Sequence, residues 1–341
     1  MNDKPRRPSL QDVADLVNTS KMTISRYLRS PEQVAPLTAA RIAQAMQTLG
    51  YIPSRVPAML SNSRSRAIGV LLPSMSNQVF SAVAHGIEQV STPAGYHTLY
   101  GHYGYEPERE EQQIEQLLSF HIDGLILSES NHTARTRKML EVAAIPVVEI
   151  MDLPAQPIDL AVGLDHAAAA KAMTEAMLAH GYRRIVYLAA RMDTRTQQRN
   201  DGYGQAMTAQ QLQPHTIQTS ESSSFTLGAR LIRQALLEVP DLDGVFCTND
   251  DVAAGALLEL QSMGRRIPEE IGIAGVNHLD IGLALKPQLA SIVTPREAIG
   301  RHAAERLIGR INGQHYPERT LDLGFDLFLG ASILKHAKSS V

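Results

Sequence analysis

The chain is poor in the residues that would staple it covalently or anchor it in lipid. Its 341 residues include one cysteine, Cys247, and no tryptophan. One thiol excludes an internal disulfide framework and a cysteine-rich zinc site. No run of 18 or more apolar residues occurs, so no segment reads as a membrane span. The first residues, Met-Asn-Asp-Lys-Pro-Arg-Arg-Pro, lead into an amphipathic stretch instead of an apolar one. That argues against a secretory leader and for a cytoplasmic address. Also missing are the phosphate-cradling lysine loop, the Gly-x-Gly-x-x-Gly dinucleotide fingerprint and the Gly-x-Ser-x-Gly nucleophile elbow. Twelve histidines are scattered without metal-ligand spacing, which favours solvated or core histidines over a metal site. These gaps exclude the common enzyme classes and imply no cofactor.

Net charge is also small, −3 overall, but it is unevenly placed. Residues 1–66 hold ten Lys/Arg against four Asp/Glu, a net of +6. The other 275 residues hold 22 against 31, a net of −9. A basic head on an acidic body points to an anionic partner for the head alone.

The head reads as short helices. Ser9-Leu10-Gln11-Asp12 is a capping box, and Leu10, Val13, Ala14 and Val17 follow at helical spacing. Ser20 caps a second helix with Ile24 and Tyr27 facing a core. Pro36 opens a third, which stops at Gly50. Two short helices, a tight turn and a third closing helix make a helix-turn-helix. The start of its second helix would enter a major groove with Lys21, Met22, Ser25 and Arg26 outward. Lys21 and Arg26 can donate to guanine or phosphate, Met22 can touch a thymine methyl, and Thr23 and Ser25 can bond phosphate or base edges. The plainer alternative is a merely solvated polar face. Residues 51–66, with two prolines, four serines and three arginines, read as a linker in which 56–62 can form one or two helical turns. Leu60 there can wedge into a minor groove or pack on the protein.

From Ala67 the texture changes to alternating strands and helices, which implies parallel sheets covered by helices on both faces. Residues 150–163 divide the body into two similar halves. In such a body the ligand sits in a cleft at the carboxyl ends of strands. The loops after strands offer Asn77 and Phe80, then Asn249 and Asp250, then Asn277 and Asp280. Amides and carboxylates can bond sugar hydroxyls, and Phe80 can cover a carbon face. Residues 193–199, after the strand at 185–188, carry Arg195 and Arg199, and guanidinium suits a carboxylate. Each residue alone also reads as a loop cap or a surface ion pair. Cys247 ends an apolar strand and reads as a small buried hydrophobe.

Three stretches of the head, Leu10 to Ala14, Ser20 to Leu28 and Leu49 to Arg55, resemble the DNA-binding head of the LacI/GalR transcriptional regulators. The resemblance runs over the whole chain. Ala67 to Ser74, Asn77 to Phe80, Ile122 to Glu129 and Val245 to Asp251 are similar to the gluconate- and idonate-responsive members. The resemblance implies an all-α head at 1–53, a hinge helix and linker at 54–66, and a two-lobed, periplasmic-binding-protein-like α/β effector domain at 67–341. Its lobes would span roughly 67–165 and 166–341, with chain crossovers. It implies a homodimer on a near-palindromic double-stranded operator. The head contacts it implies are Ser9, Gln11, Ser20, Lys21, Met22, Thr23, Ser25, Arg26, Thr38, Ser54 and Arg55, with Leu60 as the minor-groove leucine. The start of the third helix, residues 35–40, lacks the hydroxyl and basic residues many members use on phosphate, and Ser54 stands where asparagine is common. In the body, Arg199 matches the effector-binding arginine, Asn249 a ligand-contacting position and Phe80 an aromatic of the first cleft loop. Asn277 stands where many sugar- and purine-binding members carry aspartate, and losing that charge favours an anion. The expectation is therefore a repressor of sugar-acid utilisation released by gluconate or a relative, with effector contacts at Asn77, Phe80, Arg195, Arg199, Asn249, Asp250 and Asn277. The rivals are a regulator answering idonate, a ketogluconate or a neutral sugar, and a sugar-binding protein without a DNA role.

Overall fold

The computed structural model of the chain describes residues 6–53 and 64–334, so Ser54, Arg55 and Leu60 lie outside the described residues. Two units are present, one ending at Ser65 and one beginning at Arg66.

The first unit holds α1 (Leu10–Val17), α2 (Lys21–Arg29) and α3 (Pro36–Leu49). The expected capping box is present: the Asp12 carboxylate accepts the Ser9 N–H at 2.6 Å while the Ser9 hydroxyl accepts the Asp12 N–H. Asn18 ends α1 in the left-handed conformation, and Ser20 caps α2 by accepting the Thr23 N–H at 3.2 Å. Val13, Ala14, Val17, Ile24 and Ile42 are buried together, with Tyr27 partly buried at their edge. Arg41 donates to the Val17 carbonyl at 2.9 Å, tying α3 to the end of α1.

The second unit is two parallel sheets. The first contains β1 (Ala67–Leu72), β2 (His97–His102), β3 (Gly124–Leu127), β4 (Val147–Met151), β5 (Leu160–Gly163) and β11 (Thr320–Asp322), in the order β2-β1-β3-β4-β5-β11. The second contains β6 (Ile185–Ala190), β7 (His215–Thr219), β8 (Gly244–Cys247), β9 (Gly272–Val276), β10 (Ala290–Val293) and β12 (Asp326–Phe328), in the order β7-β6-β8-β9-β10-β12. Among the described residues only β12 runs antiparallel to its neighbour. Central strands such as β3 and β8 are buried at every residue, as strands covered on both faces must be.

Helices α4 (Gln78–Ser91), α5 (Pro107–Ser119), α6 (Ala134–Ala143), α7 (His166–Ala179), α8 (Thr194–Ala209), α9 (Phe225–Glu238), α10 (Asp250–Ser262), α11 (Asp280–Ala284) and α12 (Arg296–Ile311) cover them. Helix α12 packs on α4 and on β3, β4 and β5. That contact is backbone-close: a Cβ at Gly86 would lie 2.1 Å from the Glu297 carbonyl oxygen, and one at Gly300 would lie 2.0 Å from that of Val83. Only glycine allows such an approach. Among the described residues no helix is long and apolar enough to cross a membrane.

Residues 150–163 do not divide the body. They end β4 and form β5, both in the first sheet. The chain changes lobe between β5 and α7, returns between β10 and α12, and crosses again between β11 and β12. Helix α12 and β11 therefore belong to the first lobe, although they lie within the 166–341 span expected for the second.

Candidate functional site

On the head, Lys21, Met22 and Arg26 are exposed, with Met22 at 70%, and Thr23 and Ser25 are partly so. Neither Lys21 nor Arg26 has an ion pair among the described residues. Ile24 alone of this helix is fully buried, so the helix turns one face inward and presents the basic one. Ser9, Gln11, Ser20 and Thr38 are less free. Ser9 and Ser20 serve as caps, Gln11 donates to Asp15 at 2.5 Å, and Thr38 is half-buried in the first turn of α3.

In the body, a cleft between the lobes is lined from the first lobe by Asn77, Val79, Phe80, Tyr105 and Met151. The second lobe contributes Arg191, Asp193, Arg195, Thr196, Arg199, Ser223, Thr248, Asn249 and Asn277. Six of the seven expected body residues are thus gathered in one place. The seventh, Asp250, is fully buried and turned away from the lining. Its carboxylate accepts the Leu279 N–H at 2.6 Å and the Ser291 hydroxyl at 2.7 Å, so it ties α10 to the neighbouring loop and strand. Burial raises its pKa to about 7.

Helix capping explains the placement. The side chains of Asn77, Asp193 and Asn249 accept the first backbone N–H groups of α4, α8 and α10. Three helix N-termini therefore end at the cleft, and their free N–H groups favour negative charge there. Residues 194–199 are helix and not the expected loop: Asp193 accepts the Thr196 N–H at 2.8 Å as the cap of α8, which starts eight residues earlier than the apolar pattern shows. Arg195 and Arg199 then stand one turn apart on the same face. Two connections bend through the left-handed region without glycine, at Arg191 and Met192 after β6 and at Asn277 and His278 after β9. Such residues cost of order 1 kcal/mol each and cluster at binding sites.

The two arginines differ. Arg195 reaches across the cleft, donating to the Ser128 carbonyl at 2.9 Å with Glu129 and Asp152 each 3.8 Å away. Burial works against its charge, but Asp152, Glu129 and Asp193 outweigh that and raise its pKa. Asp152 is itself pushed up to about 6 by burial, which Arg195 only partly offsets. Arg199 donates to the Thr248 carbonyl at 2.9 Å and to His166 Nδ1 at 3.2 Å. It has no carboxylate at ion-pair distance among the described residues, and its buried Nε has no partner. Asn249 donates to the Ser223 hydroxyl at 2.7 Å, and the Asn277 side-chain oxygen accepts from Thr294 at 3.3 Å.

The sequence reading missed Tyr105, Arg191 and His166. The Arg191 guanidinium lies over the Tyr105 ring, 3.9 Å from its centre, joining the lobes. Its position directly after β6 was the available signal. Tyr105 follows β2 on the opposite lobe, and nothing in the sequence pairs the two. Among the described residues no group of three or more His, Cys, Asp and Glu is arranged to hold a metal ion.

Two family descriptions match the chain. Residues 9–54 match "Bacterial regulatory proteins, lacI family", and residues 65–324 match "Periplasmic binding proteins and sugar binding domain of LacI family". The HTH-type transcriptional regulator GntR of Escherichia coli (strain K12) is 53% identical over 330 residues, covering 97% of this chain and all of that one. The HTH-type transcriptional regulator IdnR of the same strain is 46% identical over 328 residues, covering 96% and 99%. A crystal structure of a LacI-family transcriptional regulator from Silicibacter pomeroyi superposes with a TM-score of 0.90 at 34% identity, covering 96% of this chain and all of that one.

Proposed function

We propose, from the premise that the chain belongs to the LacI family of bacterial regulatory proteins, that it represses genes of sugar-acid utilisation and leaves its operator on binding gluconate or a close relative. The chain is a helix-turn-helix transcriptional regulator and not an enzyme. Its partners in this reading are a near-palindromic operator and a second copy of itself, each copy reading one half-site in the cytoplasm.

The observation that carries the effector assignment is Arg199. It is a buried guanidinium with no carboxylate at ion-pair distance among the described residues, at a cleft where three helices begin. A ligand carboxylate supplies the missing anion and can be held in a bidentate way. Asn77, Asn249 and Asn277 add neutral amides for hydroxyl groups, and Phe80 covers a carbon face. Arg195 draws the first lobe toward the second. At the operator, Lys21 and Arg26 donate to guanine or phosphate, Met22 meets a thymine methyl, and Leu60 wedges the minor groove. Ligand that binds more tightly to the form unsuited to DNA lowers operator affinity by the same factor that DNA lowers ligand affinity.

A gel shift on the DNA upstream of the protein's own gene tests both halves. Specific, salt-sensitive retardation released by gluconate is expected. Absence of any specific shift overturns the operator reading. A shift released by a neutral sugar, and not by gluconate, overturns the effector reading alone.

A further inference from the structure

His166 opens α7 where the chain first passes from one lobe to the other, and it is 2% exposed. Its ring faces both lobes. Nε2 is 3.1 Å from the Met151 carbonyl at the end of β4, and Nδ1 is 3.2 Å from Nη2 of Arg199 on α8. A guanidinium only donates, so Nδ1 must carry the lone pair and Nε2 the proton. Both bonds form together only on a neutral ring protonated at Nε2. A charged imidazolium would set N–H against N–H at Arg199.

The surroundings keep the ring neutral. Burial, then the charges of Arg199 and Arg195, hold its pKa well below the ordinary histidine value. Asp152 is the acidic group facing it, 3.6 Å from Nε2, and stands on the Met151 side. Arg199 is thus anchored by a carbonyl and a neutral ring, while Arg195 one turn earlier is surrounded by Glu129 and Asp152. Of the two, Arg199 alone has no carboxylate at ion-pair distance among the described residues, with Asp193 and Asp152 acting on it only from further away.

We propose that His166 is a positioning residue for an anionic effector: it fixes the Arg199 guanidinium without neutralising it. A carboxylate at the same place would anchor the group equally well and cancel the charge a ligand carboxylate needs. An apolar side chain would preserve the charge and leave Nη2 unanchored. Selection of an anion therefore depends on an acceptor that is polar and uncharged. This assignment rests on the sugar-acid reading.

Calorimetric titration with gluconate of the full chain, its His166→Leu and its His166→Gln variants tests it, with operator affinity measured alongside. His166→Leu should weaken gluconate binding at least about tenfold and leave operator affinity unchanged. His166→Gln, which restores a neutral acceptor, should recover most of the loss. Wild-type affinity in the leucine variant, or no recovery with glutamine, overturns the assignment. If the wild-type protein ignores gluconate, the sugar-acid reading falls, and nitrogen NMR of His166 decides the rest. A bare Nδ1 on a ring that stays neutral at pH 6 supports its role toward Arg199, and a charged or Nδ1-protonated ring overturns it.

Discussion

Alkaline pH should unpin the first lobe at His132. This side chain is fully buried, with Nδ1 3.0 Å from Glu110 on α5 and Nε2 3.4 Å from Glu149 on β4. Burial pulls its pKa down, but the hydrogen bond to Glu110 and the neighbouring Glu149 carboxylate push it up to about 9. The folded value lies above the unfolded value of about 6.5. The resulting stability is therefore fully present below pH 6.5 and lost as the pH rises through about 9. At about 1.4 kcal/mol per pH unit, that interval makes the contribution roughly 3 kcal/mol. Other groups titrate over the same range, so the informative quantity is a difference. Urea unfolding at pH 6.5 and 9.5, on wild type and on His132→Gln, should show the wild type losing roughly 3 kcal/mol more than the variant. Equal losses would refute the reasoning, because they would mean that the ring carries no charge in the folded protein at neutral pH.

Arg199→Ala should bind operator as the wild type does and no longer respond to gluconate; normal release in a gel shift removes the residue from the effector site. Arg26→Ala should weaken operator binding by about 1–3 kcal/mol while calorimetry shows gluconate affinity intact. An unchanged operator isotherm takes Arg26 out of the interface. Gly300→Val places a Cβ 2.0 Å from the Val83 carbonyl oxygen, so α4 and α12 must part. A loss of at least about 1–3 kcal/mol is expected in urea unfolding, and wild-type stability would show that the two helices do not approach so closely.

The head was readable because its signals are local. Ser9, Asp12, Ser20, Pro36 and Gly50 each act within one helical turn of where they stand, and the caps form as their spacing requires. Central strands were readable as apolar runs. The edge strand β7, His-Thr-Ile-Gln-Thr, buries only Ile217 fully and gives no such run. The three-residue strands β11 and β12 are too short for any periodicity. At the cleft, chain position after a strand located most of the lining but did not give side-chain direction. Asp250 stands next to Asn249, yet the first turn of α10 aims its carboxylate back at Leu279 and Ser291. Arg195 and Arg199 look equivalent in sequence. They differ because their acceptors, Ser128 and Thr248, are 67 and 49 residues away.

The three passages of the chain between lobes set the order in which the body can be built. Its first sheet lacks an edge strand and one of its covering helices until residues 296–322 have been made. Its second lacks an edge strand until 326–328. A nascent chain can therefore close the head early, from residues up to 53, while the first sheet is complete only once residue 322 has been made and the second only once residue 328 has. A cut before residue 320 takes an edge strand from both sheets at once, and no single cut in the sequence yields two whole lobes.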